Sequence, residues 1–166
     1  MRQILILICT TLLFSCTTKQ PTRQSTGELT FTSVSLTNFY GATEAQHQGI
    51  INEINTALAN PGKHKNNLEL YQFLEKLEKH KLLTAPQILL YLEKDSLITV
   101  HLSEEAYEKI INFKYIDLYK EQKKVIVQLD IIQKDTRIFY AEKISSVTKV
   151  DGTSRINGRT MEFIEN

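Results

Sequence analysis

The sequence predicts an α+β fold: an antiparallel sheet of about five strands with helices packed on one face, the alternative arrangement being a small curled β-barrel with helices. Three observations predict it. Apolar residues recur with period 2 in some segments and with helical spacing in others. The order of segments is strand, two helices, hairpin, helix, hairpin. There is no regular βαβ alternation of the kind that builds a doubly wound parallel sheet.

Residues 28–36 open the domain. Leu29 and Phe31 alternate with threonines before the phase shifts to Val34 and Leu36, which predicts a strand with a bulge near Ser33. Thr43 and Gln46 have capping-box spacing, with Thr43 as N-cap. The helix they open places Ile51, Ile54 and Leu58 on one stripe, and Asn60-Pro61-Gly62 stops it. Over residues 68–82, Leu70, Phe73, Leu74 and Leu77 fall together at helical spacing, which predicts a second amphipathic helix. Pro86 disfavours helix at Ala85 and starts an extended segment. Residues 88–92 and 97–102 flank a polar turn and read as a hairpin. Ser103 followed by Glu104 and Glu105 is a helix start, because a serine caps and acids favour the positive end of the dipole. That helix, ending near Phe113, buries Ala106, Tyr107, Ile110 and Ile111. After a basic turn at residues 120–124, Val125, Val127, Leu129 and Ile131 alternate along a strand, and residues 138–144 return after a second polar turn. From Thr153 onward neither period is present, so residues 153–166 are expected to be a mobile tail.

The first residues are of another kind. One basic residue, Arg2, precedes an apolar run of about a dozen residues and then the small Ser15, which is the grammar of a secretory signal. The run is shorter than the roughly 20 apolar residues that a membrane-crossing helix needs. It ends Leu13-Phe14-Ser15-Cys16, which resembles the lipobox of bacterial lipoproteins, although Phe14 is bulkier than that position's usual occupant. The resemblance covers only these residues. It implies a diacylglyceryl thioether on Cys16, cleavage just before it, and acylation of the new amine. One buried chain holds weakly, whereas two or three hold for practical purposes permanently. The chain is then organised as a signal peptide over 1–15, a lipidated cysteine and flexible tether over 16–27, and a single domain over 28–152. The tether is expected because residues 17–27 contain no large apolar side chain. Thr17 is not the aspartate that resembles the inner-membrane retention signal of enteric bacteria, which implies the outer membrane, and the nearest charges, Lys19 and Arg23, are not the acidic residues that some bacteria use for surface export, which implies a periplasm-facing domain.

Composition narrows the rest. The 20 basic and 19 acidic residues become 19 and 19 once Arg2 is removed, so no general electrostatic case exists for nucleic acid. Both cysteines, Cys9 and Cys16, belong to the processed segment, leaving no disulfide or thiolate metal site for the domain. His47, His64, His80 and His101 show no i,i+4 or i,i+2 pairing that would aim two imidazoles at one metal. Nucleophile elbows and phosphate-cradling glycine loops are absent. Glu104, Glu105, Asp130, Asp135 and Asp151 invite a paired-carboxylate reading, but caps and turns account for all except Asp130. No catalytic residue, cofactor or metal is therefore assigned. Tyr91, Tyr107, Tyr115 and Tyr119 are the candidate binding surface, since aromatic anchors beside lysines are common at interfaces. The reading this supports is a membrane-anchored envelope lipoprotein with a non-catalytic binding or structural domain. Its partners would be the lipid bilayer, through N-terminal acyl chains, and an envelope protein. A small hydrolase with a site assembled from distant residues, or a tethered inhibitor or protective lipoprotein, are the alternatives.

Overall fold

The computed structural model describes residues 21–32, 35–92 and 96–157. The signal segment, Cys16, the first part of the tether, the bulge expected near Ser33 and the last nine residues lie outside the described residues. The fold is α+β.

β1 spans Thr22–Thr32, so the chain enters the sheet within the segment expected to be a tether. Its first half pairs antiparallel with β4 (Lys123–Asp135), in a register running from Thr22 opposite Ile132 to Glu28 opposite Ile126. The side chains from Thr22 to Gln24 are exposed, which is why they carry no apolar signal. Here the backbone ladder, not side-chain burial, holds the strand, and the threonines suit it. At Gly27 a Cβ would stand 3.0 Å from the Tyr91 carbonyl oxygen, so a larger residue would require the neighbouring strand to give by a few tenths of an ångström.

α1 (Glu44–Ala59) begins with the expected capping box: the Gln46 N–H donates to Thr43 Oγ1 and the Thr43 N–H to Gln46 Oε1. α2 (Leu68–Lys79) returns antiparallel after a short 3-10 turn. It ends three residues earlier than periodicity alone suggests, in a Schellman motif. Lys81 takes a left-handed conformation (φ 58°), and the N–H groups of Leu82 and Lys81 donate to the carbonyls of Leu77 and Glu78. The two helices enclose a core cluster built on Ile54, Leu74, Leu77, Leu82, Leu83 and Ile138.

β2 (Gln87–Tyr91) and β3 (Leu97–Leu102) form the expected hairpin. Ser103 caps α3 (Glu104–Glu108) by accepting from the Ala106 N–H. α3 stops before the expected end near Phe113. The chain turns, and a helix not foreseen, α4 (Tyr115–Glu121), buries Leu118. β5 (Ile138–Ala141) and β6 (Ile144–Asp151) pair in succession along one edge of β4, while β1 takes the other.

Two features differ from the expected antiparallel sheet with one helical face. β3 pairs with β5 in parallel, Val100 opposite Phe139, so the six-stranded sheet is mixed and its pairings run in a circuit β1-β2-β3-β5-β4-β1. Along β5, Phe139 and Ala141 face the cluster of Val100, Leu102, Val127 and Leu129, whereas Ile138 and Tyr140 face the α1/α2 cluster. Successive strand residues point to opposite faces, so one strand serves two cores and the helices lie on both sides of it.

The segment expected to be a mobile tail is tied down through residue 157. β7 (Ile156–Asn157) lies parallel to the end of β1, the Phe31 N–H donates to the Arg155 carbonyl at 3.0 Å, and buried Ser154 donates to the Lys123 carbonyl at 2.8 Å.

Candidate binding cleft

A cleft of about 690 Å³ opens where β1 ends. Its walls follow from the elements that meet there. Phe31 comes from β1 and Ile88 from β2. Tyr107 comes from α3, and Ile110, Ile111 and Phe113 come from the turn between α3 and α4. The segment of Ser35, Leu36 and Asn38 forms one rim, pinned by Gln87, whose Nε2 donates to Ser35 Oγ at 2.8 Å. The other oxygen of that contact is unmatched: Gln87 Oε1 is buried with no hydrogen-bond partner among the described residues. An unpaired buried acceptor of this kind costs about 1–3 kcal/mol.

The rim is apolar and open to solvent. Leu36 is 68% exposed and Ile111 is 48% exposed. Ile111 was expected on the buried side of its helix, but α3 ends before it. Ile110 takes the core position, and its neighbour is left outside. Tyr107 meets Tyr40 edge-on at 5.0 Å, and the Tyr40 hydroxyl donates to Glu104 at 2.9 Å. That bond to a carboxylate holds the Tyr40 pKa above the usual phenol value.

Of the four candidate tyrosines, one, Tyr107, lines this cleft. Tyr115 lies behind the wall, its ring 5.9 Å from Phe31 and 5.9 Å from Tyr119, which is exposed on α4. Tyr91 lies outside the cleft, beneath the Arg155 guanidinium at 4.4 Å. Leu36, Phe31, Ile111 and Phe113, four of the apolar lining residues, were not singled out by sequence as part of a site. The available signal was the adjacent pair Ile110-Ile111, of which a short helix can bury only one.

Titratable groups converge elsewhere, and as structural ties. His47 on α1 meets Glu78 on α2 at 2.9 Å, joining the antiparallel helices from 31 positions apart in sequence. Asp135 accepts from the Thr136 N–H and from Lys76, and His80 stands 3.9 Å away; the Thr136 N–H and then Lys76 hold the Asp135 carboxyl below its usual range. His101 is 2% exposed on β3, and burial pushes its pKa down to about 4. Of the five acids weighed for carboxylate chemistry, Glu104 and Glu105 occupy the first turn of α3, and Asp151 pairs with Lys123. Asp130 is exposed on β4 opposite Gln24. Among the described residues no three His, Asp or Glu side chains come together as a metal-ligand set, and no described helix is long and apolar enough to cross a membrane.

No family model, no curated protein and no solved structure matches this chain.

Proposed function

We propose that the chain is an envelope lipoprotein, anchored through acyl chains on Cys16 to the outer membrane and facing the periplasm. Its domain binds, without catalysis, an apolar segment of another envelope protein in the cleft at the end of β1. The anchor is supported by the Leu13-Phe14-Ser15-Cys16 segment. The observation that carries the binding role is the chemistry of the cleft. Its described lining is aliphatic, aromatic, hydroxyl and amide, and its one ionisable side chain is Tyr107. Apolar walls with a few placed polar groups favour binding and offer no ready general acid or base near neutral pH.

Two measurements test the two halves separately. Metabolic labelling with a palmitate analogue should mark the wild-type protein and not Cys16→Ser, and label retained on Cys16→Ser overturns the anchor. A benzophenone amino acid placed at Ile111 should crosslink to a discrete protein in intact cells. One placed at Lys63, on the loop between α1 and α2, should not. Equal or absent adducts at both positions overturn the cleft.

A further inference from the structure

The structure assigns a second membrane contact: the end of the domain where β1 begins seats its exposed cations on anionic phospholipid headgroups, so that the cleft faces away from the bilayer. The orienting part rests on the lipoprotein reading above; the charge distribution does not.

Reach comes first. Cys16 and Thr22 are separated by 6 peptide units, which span at most about 20 Å when extended. Because β1 begins at Thr22, there is no long tether to let the domain wander, and whatever surrounds Thr22 stays near the headgroup layer. Register identifies those surroundings. Thr22 is opposite Ile132 and Arg23 opposite Ile131, placing the β4–β5 turn, with Arg137, at this end. The contacts of Asp135 with Lys76 and His80 bring the C-terminal end of α2 to the same place, with Lys79 and Lys81 following on.

Charge comes second. Arg23, Lys79, Lys81 and Arg137 are all exposed, and none is in an ion pair among the described residues. The local acid Asp135 is already occupied by Lys76 and Thr136, and Glu78 by His47; the remaining exposed acids on α2 and β4 are Glu75, Asp130 and Glu69, the last in the first turn of α2 at its other end. Cations are therefore in excess. At the opposite end of β4 the arrangement is reversed, with Lys123 paired to Asp151, Lys124 to Glu28 and Lys149 to Glu121. A cation near an anionic bilayer surface strengthens binding about fivefold, and the effect decays within roughly 10 Å. Only cations held close by a short connection contribute.

Orientation follows. From Thr22 to Phe31 an extended strand covers about 30 Å, so the cleft stands at the far end of β1 from the anchor. Its occupant is then met in the aqueous compartment and is not the bilayer that holds the protein.

The test uses the complete mature chain carrying Cys16→Ser, so that acyl chains do not mask the surface. It is sedimented with vesicles of phosphatidylcholine alone or with about one third phosphatidylglycerol. Binding should require the anionic lipid, weaken with salt, and persist in excess inorganic phosphate, which separates a charged surface from a pocket for a single phosphate. R23Q/K79Q/K81Q/R137Q should lose at least about tenfold in partitioning. K63Q/K65Q, at the other end of the helix pair, should lose little. Equal binding to both vesicle types, displacement by phosphate, or equal losses in the two variants overturns the seating. Palmitate labelling of the wild-type protein is read alongside. Label without lipid selectivity overturns the seating alone, and absence of label overturns the anchor and the orientation with it.

Discussion

His101 stands on β3 between Val100 and Leu102, which face the sheet cluster, so its ring points to the opposite face with Tyr140 beside it. It is 2% exposed, and its Nδ1 has no partner among the described residues. Desolvation disfavours the imidazolium and lowers the pKa from 6.5 to about 4. Protonation therefore favours the unfolded chain. Stability is fully present above pH 6.5, falls as the pH drops from 6.5 towards 4, and is lower by about 3 kcal/mol below that. Urea midpoints across this range should follow that slope, and His101→Leu should flatten it; a parallel decline in both proteins would assign the acid sensitivity to other groups. A second residue carries backbone strain. Lys81 adopts φ 58° to close the Schellman motif of α2, a conformation disfavoured by about 1 kcal/mol for a residue with a Cβ. Lys81→Gly should raise stability by about 0.5–1 kcal/mol, and a lower melting temperature for the glycine variant would show that the Lys81 side chain contributes more than its backbone costs.

At the scale of elements, β7 gives the sharpest test. Ser154 is 3% exposed and satisfies the Lys123 carbonyl, while Arg155 bonds the end of β1 through its backbone. Ser154→Ala should cost about 1 kcal/mol, and removal of residues 153–166 more than that; a urea midpoint unchanged by the deletion would make these bonds irrelevant to stability. This anchoring was invisible in sequence for the same reason as the start of β1. Residues 153–156 and 22–26 bury almost no apolar surface, and their order comes from ladders to partners about a hundred positions away or more, such as Thr22 with Ile132 and Phe31 with Ile156. Local chemistry, by contrast, was legible. The Thr43 box, the Ser103 cap, the stripe of Leu70, Phe73, Leu74 and Leu77, and the hairpin of β2 and β3 each depend on neighbours within a few residues. α4 escaped because its seven residues bury only Leu118, too little for a period to show. The cleft was legible only through Tyr107, since its walls come from four separate stretches that tertiary structure alone brings together.

For the whole molecule the decisive element is β4, which is hydrogen-bonded to β1 along one edge and to β5 and β6 along the other. Val125, Val127 and Leu129 sit fully buried at its centre. The second cluster, between α1 and α2, shares no buried residue with β4, and β5 links the two by sending alternate side chains to each. If that link is strong, the domain unfolds as one unit, and a cavity in either cluster lowers the stability of both. Leu77→Ala removes a fully buried side chain from the helical cluster and should cost about 2–5 kcal/mol. Native-state hydrogen exchange then reads the coupling. In the wild type the amides of β4 should exchange most slowly, through global unfolding. In Leu77→Ala their protection should fall by the same free energy as that of the α2 amides. Should β4 keep its protection while α1 and α2 lose theirs, the helix pair opens independently of the sheet, and Ile138 and Tyr140 then do not bind the two cores into one cooperative unit.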